Sequence, residues 1–268
     1  MTVHDFLTAA TKTLEQAGIE SARLDTLILL EDELGENRAH ILAHPSRELA
    51  KETGVELNKK IARRSTHLPL AYIRGTAPFY GRNFIVSEHV LVPRPETEAL
   101  IALLKTLALP KQPVIADIGT GSGCLGITAA LELPDSLVTL SDNDPEALRV
   151  ARANVALLAP QVTVKQVDLL ADLPPKTDVV VANLPYVPEA LPINQAAAHE
   201  PKNAIFAGAD GLDLYKQLWH QLSGLKAKPR FICIEALPAQ HHTLAMLARA
   251  AGYYLKGTSG FAQAYERL

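Results

Sequence analysis

The chain has 268 residues, of which 48% are hydrophobic and 21% are charged, and its formal net charge is −3 at pH 7. This length predicts one large α/β domain with a smaller partner, and the weak charge excludes the strong basic field over the whole protein that marks many nucleic-acid binders. The two cysteines, Cys124 and Cys233, are far apart and lack metal-ligand spacing, so the sequence predicts no disulfide framework and no zinc site, and it suits a reducing cytoplasm.

Residues 1–75 have the apolar spacing of helices and predict a small N-terminal helical domain. Apolar residues such as Leu24, Leu27 and Ile28 recur at three- and four-residue spacing. The first segment is amphipathic and carries an early acid, so it is not predicted to be a signal peptide, and no apolar run approaches the roughly 20 residues that cross a bilayer. The cations of KKIARR, residues 59–64, predict a solvated helix face, with contact to an acidic partner or to ribosomal RNA as the alternative.

Residues 76–95 predict a β-hairpin that links the helical domain to a larger domain over residues 96–268. Phe84, Val86 and then Val90 alternate with other residues, as they do in hairpin strands. Val92 continues this alternation and is predicted to belong to the same hairpin.

After Pro113, short apolar strands alternate with helical segments: VIADIG, CLGITAALEL, LVTLSDND, PEALRVARANVALL, VTVKQVDLL and VVVANLPY. This alternation predicts βαβ units and a mostly parallel, doubly wound sheet that is covered on both faces. Ligands of such sheets bind at the carboxyl ends of the strands. The loops at that edge are therefore the candidate site.

His241 and His242 are adjacent and point to different helix faces, so no metal site is predicted from them.

The stretch DIGTGSG, residues 117–123, ends the first of these strands and begins the next helix. Gly119, Gly121 and Gly123 permit a tight turn, and the helix N-terminus presents free N–H groups. The overlapping stretch GSGCLG matches the dinucleotide fingerprint, with Asp142 about twenty residues further on. A nicotinamide enzyme is therefore one alternative.

Three acids favour another ligand. Asp117 stands directly before the glycines, where its carboxylate would repel a pyrophosphate and would suit a cation. Asp142 and Asp168 lie near the ends of later strands, in positions suited to a ribose diol and an adenine amino group. Together the three acids resemble the S-adenosylmethionine site of seven-stranded methyltransferases. The alternative for each is an ordinary loop acid or a helix N-cap.

The stretch NLPYVP, residues 183–188, follows the fourth strand of the predicted sheet. The side-chain carbonyl of Asn183 and the backbone carbonyl of Leu184 can each accept one N–H of a planar amino group and hold its nitrogen against a sulfonium methyl. Pro185 stiffens the loop, and Tyr186 offers a face for the planar group. Such a nitrogen needs orientation rather than a strong base. The simpler alternative is a strand followed by a proline-directed turn.

Four stretches of the chain resemble the release factor glutamine methyltransferases, the PrmC/HemK family. They are DIGTGSG, NLPYVP, PLAYIRGTAPFYGRNFIVSEHVLVPRPETEALI at 69–101 and HEPKNAIFAGADGLDLYKQL at 199–218, of which VPRPETE and EPKNAIFAGADGLDLY are specific to the family. The resemblance implies a seven-stranded Rossmann-like S-adenosylmethionine-dependent methyltransferase domain, preceded by a helical domain that docks the substrate. It further implies methylation of the glutamine amide in the Gly-Gly-Gln motif of peptide chain release factors 1 and 2, in the cytoplasm, with S-adenosylhomocysteine as the other product and no membrane partner.

The resemblance also implies roles for individual residues. Those assigned to the cofactor are Asp117, Gly119, Thr120, Gly121, Ser122, Gly123, Asp142, Asp168, Leu169 and Asn183. Those assigned to the glutamine amide are Asn183, Leu184, Pro185 and Tyr186. Those assigned to a lid or wall are Arg94, Pro95 and Glu96, for which a rigid turn before a helix is the alternative.

Three stretches depart from the family pattern. Leu184 replaces the first proline of the usual Asn-Pro-Pro-Tyr and gives a form typical of ribosomal RNA adenine dimethyltransferases. Leucine can supply the same backbone carbonyl, although the loop loses rigidity. CIEAL stands where Glu-Ile-Gly is common, and the tail GFAQAYERL lacks the usual Asp-Leu-Ala-Gly pattern.

Three other functions fit parts of the sequence. An amino methyltransferase for ribosomal RNA or DNA bases would use the same loop chemistry, but it predicts a basic, salt-sensitive surface that the net charge does not favour. A ribosomal-protein glutamine methyltransferase would differ mainly in its docking domain. A noncatalytic module that binds release factors is disfavoured by the intact glycine loop.

Tyr215 and Trp219, which are four residues apart, are predicted to pack in the core.

Overall fold

The computed structural model describes residues 1–268, which divide into two compact units. The first unit comprises residues 1–75 together with 193–199. Its helices are α1 (Val3–Gln16), α2 (Ala22–Leu34), α3 (Arg38–Ala43), α4 (Lys51–Ser65) and α5 (Leu70–Arg74). The predicted helical texture of the N-terminal region is therefore confirmed.

Local signals explain where these helices begin and end. Thr2 and Asp5 form a reciprocal capping box at the start of α1, with both hydrogen bonds at 3.1 Å. Gly35 ends α2 in the left-handed conformation that glycine adopts without strain. Residues 193–199 lie against the same unit, where the ring nitrogen Nε2 of His199 is 2.8 Å from the carbonyl oxygen of Thr66.

The cations of KKIARR do not form one solvated face. Arg64 is buried, donates to Asp25 at 2.7 Å and also donates to the carbonyl of Leu68. Lys59 and Lys60 pair with acids of the same unit at 2.7 and 2.6 Å. The prediction of a solvated basic face is therefore wrong for Arg64, because a buried carboxylate recruits this guanidinium into the helical core.

The second unit comprises residues 76–192 and 200–268 and begins with a short hairpin. Strands β1 (Thr76–Phe79) and β2 (Arg82–Ile85) pair antiparallel through a turn in which Tyr80 and Gly81 both have positive φ. The predicted hairpin is confirmed, but it is shorter than expected. Val90 and Val92 lie outside any strand, because the side chain of Glu200, rather than a neighbouring strand, accepts the N–H of Val92.

The predicted alternation of strands and helices is confirmed over the rest of this unit. Its elements are α6 (Glu98–Thr106), β3 (Val114–Ile118), α7 (Cys124–Glu132), β4 (Leu137–Asp142), α8 (Pro145–Leu158), β5 (Thr163–Gln166), β6 (Val179–Ala182), α9 (Asp213–Gly224), β7 (Phe231–Glu235), α10 (His241–Ala250), β8 (Tyr253–Ser259) and β9 (Ala262–Arg267). The seven strands lie in the order β5-β4-β3-β6-β7-β9-β8, and only β9 runs antiparallel to its neighbours. This mostly parallel, seven-stranded sheet is the predicted fold class.

Helices cover both faces of the sheet. One core cluster contains side chains of α6, α7 and α8, and the other contains side chains of α9 and α10. Tyr215 and Trp219 are buried in the second cluster, so the predicted core packing is confirmed. No helix in the chain combines the length and the apolar character that a membrane span requires.

Strand register aligns the candidate loops at one edge. Ile118 at the end of β3 pairs with Ser141 of β4 on one side and with Ala182 of β6 on the other. The residues that follow these strand ends, among them Gly119 and Asn183, therefore emerge side by side at the carboxyl edge of the sheet.

Candidate active site

A cavity of about 380 Å³ lies at this carboxyl edge. Its wall is formed by the loops after β3, β4, β5 and β6 and by parts of the segment 203–214. The predicted site residues that line it are Gly119, Gly121, Asp142, Asp168, Leu169, Asn183, Leu184 and Pro185. The predicted residues that do not line it are Asp117, Thr120, Ser122, Gly123, Tyr186, Arg94, Pro95 and Glu96.

The glycine loop adopts a backbone that other residues would strain. Gly119, Gly121 and Gly123 all have positive φ, between 54° and 83°. A Cβ on Gly119 would lie 2.7 Å from Cδ2 of Leu184, so this glycine lets the loop approach residues 183–186, the NLPY loop. A Cβ on Gly126 would lie 2.1 Å from Leu140, so the last glycine of GSGCLG serves the packing of helix against strand.

Asp117 lies beneath the glycine loop and organises it. Its Oδ2 accepts hydrogen bonds from the Thr120 hydroxyl at 2.6 Å and from the Gly126 N–H at 2.9 Å. Burial raises the pKa of the Asp117 carboxyl to about 7, although these two hydrogen bonds oppose the rise. The structure therefore places Asp117 in contact with the loop rather than at the cavity surface.

Asp142 joins the glycine loop to the next helix. Its Oδ2 accepts the Gly121 N–H at 2.9 Å, and its Oδ1 accepts the Asp144 N–H at 3.0 Å. Burial raises the pKa of the Asp142 carboxyl. The N-cap of α8 is Asp144, which accepts the Glu146 N–H at 2.8 Å, so the capping alternative applies to Asp144 rather than to Asp142.

Negative charge dominates the lining of the cavity. Four of its residues are Asp142, Asp144, Asp168 and Asp213, and none is lysine or arginine. A dinucleotide pyrophosphate would meet these carboxylates without a compensating cation. The charge of the wall therefore disfavours the nicotinamide alternative and suits a ligand that carries positive charge and no phosphate.

The NLPY loop presents two carbonyl oxygens that no group in the chain occupies. Asn183 donates through Nδ2 to Thr97 Oγ1 at 3.0 Å, and its Oδ1 has no hydrogen-bond partner. The Leu184 N–H donates to the Tyr215 hydroxyl at 3.3 Å, whereas its carbonyl accepts no hydrogen bond. The Tyr215 hydroxyl in turn donates to the main-chain carbonyl of Glu235. Two neighbouring acceptors at the cavity wall can bind the two N–H groups of one planar amino group.

Tyr186 is fixed at both its side chain and its main chain. Its hydroxyl donates to Glu235 Oε1 at 2.9 Å, and burial beside this carboxyl raises the pKa of the Tyr186 phenol. Its carbonyl accepts from Gln240 Nε2 at 2.7 Å. Gly211, at φ +74°, allows this approach, because a Cβ there would lie 2.1 Å from the same carbonyl oxygen.

The two stretches that carry the family-specific pattern meet in the structure. Arg94 of VPRPETE forms an ion pair with Glu200 of EPKNAIF, and the second carboxylate oxygen of Glu200 accepts the Val92 N–H at 3.0 Å. Pro95 opens a short 3₁₀ turn, Pro95–Thr97, directly before α6. This turn brings Thr97 to Asn183, so the segment supports the NLPY loop from outside the cavity.

Sequence reasoning missed the buried polar residues that hold the NLPY loop. These residues are Thr97, Tyr215, Glu235 and Gln240. Glu235 carries a signal that could have identified it, since an acid at the carboxyl end of the apolar strand FICIE repeats the pattern used for Asp142. The others have no local signal, because their partners lie far away in sequence.

Comparisons with known proteins match both ends of this architecture. Residues 5–75 match the PrmC N-terminal domain, and residues 97–206 match the methyltransferase small domain. The release factor glutamine methyltransferase of Koribacter versatilis is 41% identical over 83% of this chain and 81% of its own. That of Deinococcus radiodurans is 34% identical over 94% of this chain and 92% of its own.

A solved structure shares the fold at much lower identity. The hMettl16 catalytic domain, in complex with MAT2A 3′UTR hairpin 1, aligns with a TM-score of 0.56 at 16% identity, over 90% of this chain and 89% of that one. This match shows the methyltransferase fold alone. The identity to the curated relatives extends over both units and most of each chain, and this chain belongs to the release factor glutamine methyltransferase family.

Proposed function

We propose that this chain transfers a methyl group from S-adenosylmethionine to the side-chain amide nitrogen of the glutamine in the Gly-Gly-Gln motif of peptide chain release factors. The observation that carries the proposal is the pair of unoccupied acceptors, Asn183 Oδ1 and the Leu184 carbonyl, at the wall of an acidic cavity. Family membership supports the choice of a glutamine amide over other amino groups.

The lining of the cavity fits S-adenosylmethionine. This group carries an ammonium and a sulfonium and has no phosphate, which matches a wall of four aspartates without lysine or arginine. Gly119 and Gly121 would border its methionine part, Asp142 its ribose, and Asp168 with Leu169 its adenine. When bound, it supplies a methyl group on a positively charged sulfur, and S-adenosylhomocysteine is the product.

The residues of the NLPY loop would perform the chemistry by orientation. Asn183 Oδ1 and the Leu184 carbonyl would each accept one N–H of the glutamine amide, which would fix the amide plane so that the nitrogen lone pair, perpendicular to this plane, faces the methyl donor. Pro185 limits the freedom of the loop, and the Tyr186 ring would pack against the planar amide. A neutral amide nitrogen gives up its proton after methyl transfer, so the loop needs no strong base beside it.

The helical unit has a proposed role in recognition. We infer that residues 1–75 dock release factors 1 and 2, that residues 76–95 serve as the linker and that residues 96–268 carry the chemistry. The match of residues 5–75 to a domain named for this family supports the docking role. We place the activity in the cytoplasm, where ribosomes terminate translation, and both cysteines are unpaired as that compartment favours.

Mass spectrometry of a recombinant release factor after incubation with this protein and S-adenosylmethionine tests the proposal. We expect one added methyl group on the Gly-Gly-Gln glutamine. Asn183→Ala should nearly abolish turnover and leave cofactor binding largely intact, because it removes one of the two acceptors. Asn83→Ala, on the exposed edge of the hairpin, is the matched control and should behave as wild type.

Two results would contradict the proposal. Methyl incorporation into ribosomal RNA or a ribosomal protein, with none on the release factor, would keep the cavity chemistry and change the substrate. Loss of cofactor binding and of fold in Asn183→Ala would show that this side chain is structural rather than part of the target site.

A further inference from the structure

Glu235 lies at the carboxyl end of β7, beside the strand that carries the NLPY loop. Ile234 pairs with Ala182 in the parallel register, so the next residues, Glu235 and Asn183, leave adjacent strands at the same level. Glu235 is 0% exposed and does not line the cavity. Burial of a carboxyl group costs free energy unless hydrogen-bond partners compensate for the lost water, so the partners of Glu235 identify what it does here.

The contacts of Glu235 converge on the NLPY loop. Its Oε1 accepts the Tyr186 hydroxyl at 2.9 Å. Its main-chain carbonyl accepts the Tyr215 hydroxyl, which also accepts the Leu184 N–H at 3.3 Å. Glu235 therefore contacts Tyr186 directly and is linked to Leu184 through the Tyr215 hydroxyl.

The second carboxyl oxygen, Oε2, is buried without a hydrogen-bond partner. Burial raises the pKa of Glu235, and the neighbouring polar side chains of Thr97, Tyr186 and Asn183 oppose that rise. Thr97 Oγ1 already accepts from Asn183 Nδ2, so the Thr97 hydroxyl proton is available to point toward Glu235. Tyr186 therefore donates to this carboxyl group directly, whereas Asn183 donates to Thr97, whose own hydroxyl lies beside the carboxyl.

We propose that Glu235 is the positioning residue of the NLPY loop, whose carboxyl group orients the Asn183 amide and the Tyr186 ring for the target nitrogen. This inference rests on the proposed function. The Glu235 carboxyl favours the amide orientation that directs Nδ2 toward Thr97 and leaves Oδ1 at the cavity wall, because the Thr97 hydroxyl can accept from Nδ2 while its own proton turns toward the carboxyl. Glu235 does not line the cavity, so it would act through the loop rather than by contact with substrate or cofactor.

Glu235→Leu tests the proposal, since it keeps the bulk of the side chain and removes the acceptor. We expect kcat with a release factor to fall about 100-fold, the loss typical of a small misplacement of reacting groups, while the affinity for S-adenosylmethionine measured by calorimetry stays at the wild-type value. Glu235→Gln retains an oxygen for the Tyr186 hydroxyl but replaces Oε2 with an amino group, so it should lose less kcat than Glu235→Leu and keep less than wild type. A wild-type kcat in Glu235→Leu would overturn the proposal. So would a kcat in Glu235→Gln as low as that in Glu235→Leu.

The single variant leaves the Tyr186 hydroxyl without a partner, which lowers stability. The double variant Glu235→Leu with Tyr186→Phe removes both partners and should recover stability without recovering kcat. Recovery of kcat together with stability would show that Glu235 serves folding alone and would overturn the inference.

Gln263 provides a matched control. Its Oε1 accepts the Tyr265 hydroxyl at 2.7 Å, and both side chains are buried in the same sheet, but neither lines the cavity. Gln263→Leu therefore removes the same kind of hydrogen bond away from the NLPY loop. We expect lower stability with unchanged kcat and KM at a temperature where the variant is fully folded.

A second readout separates this inference from the proposed function. The ¹⁵N resonance of the Asn183 side-chain amide should shift in Glu235→Leu and stay in place in Gln263→Leu, whatever the substrate is. A wild-type protein that methylates no release factor would refute the proposed function, even with the shift present. An unshifted Asn183 amide in Glu235→Leu would refute the positioning role, even in a protein that methylates release factors.

Discussion

Asp117 acts on the cavity from beneath the glycine loop rather than from the cavity wall. Its position before the glycines suggested direct contact with a cation, and the structure buries it under the loop with Thr120 and Gly126 as its donors. A carboxyl in this position affects the cavity through the loop that it holds, because it does not line the cavity itself. The choice between these roles depends on depth in the fold, which the order of residues does not encode.

The buried Asp117 carboxyl predicts a dependence of stability on pH. Because the pKa of Asp117 rises from 3.8 to about 7 on folding, the folded state keeps a proton that the unfolded state releases between these values. The stabilisation from this group is full below pH 3.8 and is lost as the pH rises through about 7. Asp117→Asn keeps an oxygen for both donors and should flatten the decline, measured as the free energy of urea unfolding at a series of pH values. An equal decline in wild type and variant would contradict this assignment.

At the scale of elements, the sequence predicts the strands and helices better than it predicts the contacts between them. The helical spacing in residues 1–75 and the strand-helix alternation after Pro113 are confirmed, because each depends on local periodicity. The alternation at Val90 and Val92 gave a wrong strand, because Glu200, far along the chain, accepts the Val92 N–H. The same limit hid the support of the NLPY loop by Tyr215, whose spacing with Trp219 indicated only core packing.

The link between Leu184 and Tyr215 predicts a measurable coupling. Tyr215→Phe leaves the buried Leu184 N–H and the Glu235 carbonyl without this partner and should cost about 1–3 kcal/mol of unfolding free energy. In a Leu184→Pro background the cost should be smaller, because proline has no N–H to leave unpaired. A double-mutant cycle in urea measures the difference. Equal costs in the two backgrounds would show that the hydrogen bond from Leu184 contributes nothing.

At the scale of the whole molecule, each of the two units has its own buried charges and its own core. The first contains the Asp25–Arg64 pair, with side-chain exposures of 6% and 10%. The second contains Glu235 and Asp117 near the cavity edge. Composition alone predicted a large domain with a smaller partner, but it contains no information on which charges become buried within each of them.

Removal of one partner of the Asp25–Arg64 pair should destabilise the first unit. Asp25→Ala leaves a buried guanidinium without its carboxylate and should cost about 3–5 kcal/mol. Hydrogen exchange resolved by segment should show faster exchange in α1 to α5 and unchanged exchange in strands β3 to β7. The double variant Asp25→Leu with Arg64→Met should recover most of the loss. Equal acceleration in both units would indicate that they unfold as one.

The segment 193–199 gives the chain an unusual connectivity. The first unit takes residues 1–75 from the start of the chain and then takes 193–199 from within the second unit. A gene fusion that exchanges residues 1–75 alone would therefore leave residues 193–199 of the original chain in place. These residues pack in the first unit, in which His199 contacts the Thr66 carbonyl. Recombination between relatives that differ in this helical unit is expected to yield folded hybrids only when both stretches come from the same parent.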